Sequence, residues 1–161
     1  MNSRTFALIL GIVLLLVGIA GFIPGLVSHT VPVATPGDQG TAAPAAAAVP
    51  AAGYLLGLFP VNALHNLFHI VWGIYGIVAY RSFGGARTFA KVTAVVYAVL
   101  TVFGLIPGLN TFFGILPLYG HDIWLHALIT LAAAYFGFAR TADVEAAPAG
   151  TTTRADTTRR V

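Results

Sequence analysis

Two pairs of residues carry the polar chemistry of this sequence: His65 with His69, and Asp122 with His126. Each pair lies in an apolar run, and residues four apart share one face of a helix. An ionisable side chain in such a run is a functional-site candidate, because hydrocarbon offers it no partner. Three imidazoles and one carboxylate on two facing helices match the way helix bundles build metal sites. Imidazole suits zinc, copper, iron and nickel, and four N/O ligands suit a tetrahedral ion. A variant is haem b held between His69 and His126.

The favoured reading of the same residues is structural. Asn62 can cap the helix that carries His65, and Asp122 or His121 can cap the other. His65 then hydrogen-bonds Asp122, and His69 hydrogen-bonds His126, as glue worth about 0.6 kcal/mol on average. A small lipid-like ligand is a third possibility. Catalysis finds little support. No serine lies near His65, His69 or His126, and the chain has no cysteine, so acyl transfer lacks a nucleophile. Asp122 is the only acid associated with an apolar run, so paired carboxylates are missing too. The expectation is a non-enzymatic membrane component, with metal or haem binding as the alternative.

Composition says what must position these residues. Of 161 residues, 58% are hydrophobic and 8% charged, against about 45–50% and 25% in an average soluble domain. That difference indicates an integral membrane protein, with the lipid bilayer as its first partner. A net charge of +3 gives no reason to expect nucleic acid. The absence of cysteine excludes disulfides, thiolate metal sites and covalent haem attachment. Four apolar segments are long enough to span: Thr5 to Ile23, Val61 to Tyr80, Thr88 to Ile106 and Asp122 to Ala139. A bilayer core of roughly 30 Å needs about 20 residues. A cleaved signal peptide is the competing reading of the first.

Between the first two spans, Val27 to Ala52 is rich in alanine, proline, threonine and glycine, a composition expected of a flexible loop. Tyr54 to Pro60 and Thr111 to Pro117 are too short to span and are expected at the interface. Residues 1–140 thus form the membrane domain and 141–161 a disordered tail. All eight lysines and arginines fall on the side shared by the termini and the turn after the second span. The positive-inside rule places both termini in the cytoplasm.

The chain also repeats itself. Phe6-Ala7 and Gly21-Phe22-Ile23-Pro24-Gly25-Leu26 match Phe89-Ala90 and Gly104-Leu105-Ile106-Pro107-Gly108-Leu109, and Gly57-Leu58-Phe59-Pro60-Val61 matches Gly114-Ile115-Leu116-Pro117-Leu118. Two tandem two-helix repeats in one orientation follow, related by an axis along the membrane normal. The register sets His69 opposite His126, and His65 opposite Asp122. If Pro60 and Pro117 start their helices, both histidines lie about 13 Å further along. Gly73 and Gly76 on one helix, and Thr130, Ala133 and Gly137 on the other, offer small faces for close approach. The fold class expected is all-α, an integral membrane four-helix bundle.

With Asn62 to His69, Gly73, Gly76, Leu116-Pro117-Leu118 and Trp124-Leu125-His126, the chain resembles a family of small bacterial membrane proteins. That family is catalogued only as a domain of unknown function, and DoxX-type four-span proteins are a more distant likeness. The resemblance covers roughly residues 5 to 139. It implies four spans in a bacterial plasma membrane and no particular activity. Other membrane subunits or a second copy of the chain are the partners expected.

Overall fold

The computed structural model describes residues 1–29 and 53–139. Four helices follow one another: α1 (Ser3–Ala20), α2 (Ala63–Ala79), α3 (Phe83–Leu105) and α4 (His121–Ala134). A π-helical turn, Tyr135–Ala139, extends α4. With that extension, α1, α3 and α4 are long and apolar enough to cross a membrane. The 17 residues of α2 reach only about 25 Å at 1.5 Å each. Most of the loop 27–52 and the tail from residue 140 lie outside the described residues.

Polar side chains start three of the helices. The Asn2 side chain accepts from Thr5 N at 2.9 Å, Asn62 from His65 N at 2.8 Å, and Ser82 from Gly85 N at 3.0 Å. Each satisfies one of the free N–H groups of a first turn. The fourth departs from expectation. Its cap residue is Gly120, with φ of 64° and no side-chain hydrogen bond. Neither Asp122 nor His121 caps α4, so Asp122 remains available to the interior. Helices α2 and α4 also begin after Pro60 and Pro117 rather than at them. His69 and His126 are therefore about 9 and 8 Å from their helix starts, shallower than the prolines suggested.

The all-α expectation needs a second correction. Val27–Ser28 (β1), Gly53–Leu55 (β2) and Phe59–Val61 (β3) form an antiparallel sheet in the order β1-β2-β3. What looked like an interfacial piece from Tyr54 to Pro60 is the β2–β3 hairpin. Leu56 and Gly57 turn it with φ of 55° and 72°. Tyr54, Leu55 and Val61 are buried, so the hairpin packs over one end of the bundle. The segment Leu116 to Tyr119, also buried, packs at the same end.

Small residues let the helices touch. A Cβ added to Gly73 would come within 2.5 Å of Leu15 N and 2.7 Å of Gly11 O. One added to Gly76 would meet Ala7 O at 2.8 Å, and one added to Gly137 would meet Lys91 N at 2.8 Å. Such close backbone approach is how small residues pack helices where a hydrophobic driving force is lacking, as in a membrane. Between the helices, Phe6, Ala7, Ala79, Ala86, Phe89, Ala90, Ala94, Ala133 and Phe136 form one core layer. Leu14, Tyr97 and Ile129 form the next, and Leu100, Leu116 and Leu118 the layer under the hairpin. Bulky apolar residues such as Leu16, Val95, Leu128 and Leu131 face outward instead.

At the end carrying the N-terminus, side chains from elsewhere take helix-end carbonyls. Arg4 Nε donates to Tyr80 O at 2.8 Å, and Arg87 Nε donates to Gly137 O at 3.1 Å. Ser3 Oγ donates to Phe136 O at 3.1 Å. The π turn thus has its carbonyls met by α1 and α3, as a distorted helix end requires.

Candidate metal centre

His65 and His69 project from α2 one turn apart, and Asp122 and His126 project from α4 one turn apart. All four sit between 1 and 3% exposed. The His65 and His69 ring centroids are 4.5 Å apart, His65 and His126 are 5.9 Å apart, and His69 and His126 are 6.5 Å apart. One ligand atom from each of the three imidazoles lies within 4.8 Å of the others. Asp122 Oδ2 is 3.5 Å from His126 Nε2 and 3.9 Å from His65 Nε2. The structure clusters the three histidines and sets Asp122 beside His65 and His126.

The cluster is not hydrogen-bonded as glue would be. Nine buried side-chain N or O atoms among the described residues have no hydrogen-bond partner, and eight of them are here. They are both ring nitrogens of His65 and of His126, His69 Nδ1, Asp122 Oδ2, and the hydroxyls of Tyr97 and Tyr119. The Pro60 carbonyl approaches the His65 ring outside good hydrogen-bond geometry. A separation of 3.9 Å between His65 and Asp122 is beyond a hydrogen bond. Each buried polar atom left unpaired costs about 1–3 kcal/mol, so a cluster of eight calls for an occupant.

Tyr97 and Tyr119 join the site from α3 and from the segment before α4. The Tyr97 ring meets His126 edge-on, with centroids 5.0 Å apart and planes at 89°. Burial, with Tyr54 and Asp122 close by, pushes the Tyr119 phenol above its ordinary range. It is a neutral hydroxyl at physiological pH. Sequence reasoning missed both. The signal for Tyr119 was its place opposite Asn62 in the repeat, and for Tyr97 it was a hydroxyl in the middle of an apolar span.

The neighbouring polar residues have other tasks. Asn62 caps α2 through its oxygen and donates its amide to Ile115 O at 2.7 Å. Asn66 turns to α1 and donates to Gly21 O at 2.7 Å. Trp72 Nε1 donates to Thr93 Oγ1 at 3.0 Å. His29 and His121 are exposed and stand apart from the cluster.

No curated protein and no solved structure matches the chain. A family model described as "Domain of unknown function (DUF4383)" matches residues 4–139, and the chain belongs to that family.

Proposed function

We propose that this is an integral membrane protein that holds one first-row transition-metal ion through His65, His69, His126 and Asp122. The observation that carries the reading is the set of converging donor atoms with neither a partner nor room for water. Each unpaired atom is shut off from solvent, so no water-sized space adjoins it. An ion needs far less. With metal–ligand bonds of about 2.0–2.1 Å, tetrahedral ligand atoms lie roughly 3.4 Å apart. The Asp122–His126 spacing of 3.5 Å is already there. The spacings among the histidines, up to 4.8 Å, and the 3.9 Å from Asp122 to His65 close with ring shifts of about 1 Å or less, judged against the same ideal.

The donor set selects the ion. Three imidazoles and a carboxylate favour zinc, iron, cobalt, nickel or copper(II). Calcium and magnesium want six or more oxygens. Haem fits less well. The centroid separations put the His65 ring about 4 Å from the midpoint between His69 and His126, in the plane a macrocycle between two axial ligands would fill. Four protein ligands complete a tetrahedral ion and leave no open position, which is the mark of a structural site rather than a catalytic one. The role is to hold the ion, and through it the two halves of the bundle, not to turn over a substrate.

The duplication supports this placement. Corresponding contacts recur in the two halves: Arg4 on Tyr80 O and Arg87 on Gly137 O, Gly21 against Asn66 and Gly104 against Ile123. Leu56-Gly57 and Phe113-Gly114 share positive φ. Two tandem repeats in one orientation set the corresponding residues His69 and His126, and His65 and Asp122, about their common axis.

Two measurements test the reading. Protein extracted from membranes should carry close to one transition-metal ion per chain by elemental analysis, with no Soret absorption. Protein that stays metal-free after incubation with zinc or cobalt(II) would overturn it. The bilayer placement is tested by labelling. With every lysine and arginine at one side, both termini face the cytoplasm and the loop 27–52 faces out. Thr41→Cys should then react with an impermeant thiol reagent in intact cells, and reaction only after permeabilisation would reverse the orientation.

A further inference from the structure

An ion among His65, His69, His126 and Asp122 takes one nitrogen from each imidazole and the carboxylate, but it leaves the second nitrogens of His65 and His126 and the Tyr97 hydroxyl without a partner. Tyr97 is wholly buried in the middle layer of the core. A hydroxyl without a partner is costly there, since phenylalanine would fill the same space. Its ring stands edge-on to His126 at 5.0 Å, and His126 Nε2 is 3.5 Å from Asp122 Oδ2. Building on the metal-site reading, we propose that Tyr97 is the outer partner of the ion, its hydroxyl holding the α4 ligand pair of His126 and Asp122.

The chemistry fits both members of that pair. A metal-bound imidazole presents its second nitrogen as an N–H donor, and such nitrogens are almost always engaged by an outer group. His126 Nδ1 has no partner here, and a phenol oxygen can accept from it. The same phenol has one O–H to donate, and Asp122 is the one acid among the described residues near it. A ligating carboxylate is itself normally hydrogen-bonded. One hydroxyl thus orients both α4 ligands, and it brings α3 into a site otherwise made by α2 and α4. Tyr119 also lies near Asp122, but Tyr54 stands beside it as a second polar neighbour, outside hydrogen-bond geometry. Tyr119 is the weaker contributor.

The test compares Tyr97→Phe and Tyr119→Phe with the parent chain, using cobalt(II) as the probe in detergent-solubilised protein. Tyr97→Phe should bind cobalt about 10–100-fold more weakly, and its ligand-field absorption should shift because two ligands lose their orientation. Tyr119→Phe should move both less. The metal-free Tyr97→Phe protein should unfold no more easily than the parent, because the hydroxyl has no partner to lose. A purely structural hydroxyl gives the opposite pattern: weaker metal-free protein and an unchanged cobalt spectrum, which overturns the proposal. Equal cobalt affinity and spectrum in parent and Tyr97→Phe overturns it as well. A parent chain that binds no cobalt removes the metal site itself, a distinct failure that the Tyr97 comparison does not produce.

Discussion

Replacing His69 or His126 with alanine should each abolish stoichiometric metal and, with it, the metal-dependent part of the protein's stability. The two rings meet edge-on, with centroids 6.5 Å apart, and in the proposed site each supplies one of four ligands. Binding of an ion at a thousand times its Kd stabilises a fold by about 4 kcal/mol, and either substitution removes that gain. Asp122→Asn keeps an oxygen but drops the only compensating negative charge, so binding should weaken without vanishing. A glue role predicts something else. The parent protein would carry no metal, each substitution would cost about 0.6 kcal/mol, and the double variant would cost less than the sum. Thermal unfolding in detergent, with and without chelator, separates the two. If the chelator shifts the parent and both variants equally, the histidines hold no ion.

Much of this is legible in the sequence. The four helices follow from long apolar runs, two of them closed by Pro-Gly, and the nearness of the three histidines follows from the four-residue spacings and the internal matches. What escaped has physical causes. Strands of two or three residues such as Val27–Ser28 and Gly53–Leu55 are too short for an alternation to show. Their partners also flank an insertion, so no local hairpin signal joins them. Asp122 reads as a cap because acids favour a helix's first turn. The positive φ at Gly120 ends that role by starting the helix without it, and the carboxylate turns inward. The π turn at Tyr135–Ala139 depends on Ser3 and Arg87, which are far away in sequence.

Gly73→Ala should be among the most damaging single-methyl changes in the bundle. The added Cβ would lie 2.5 Å from Leu15 N, 2.7 Å from Gly11 O and 2.8 Å from Leu15 Cα. All three are backbone atoms, so no side chain can swing aside. Helix α1 has to move away from α2 along the whole seam shared with Gly11 and Gly76. In lipid, close packing is what holds such a pair together, so separation forfeits dispersion contacts that nothing replaces. Overpacking of this kind costs about 1–3 kcal/mol in a soluble core and occasionally more. The rigid backbone contact puts this case at or above the top of that range. Gly84 is the control. It lies in the first turn of α3, and an added Cβ there meets nothing within 4 Å. Gly84→Ala should therefore gain up to about 1 kcal/mol from helix propensity alone. Denaturant titration of the two variants in the same micelles should move their midpoints in opposite directions. A Gly73→Ala protein as stable as the parent would mean that α1 and α2 do not meet backbone to backbone, and the close-packed seam would have to be given up.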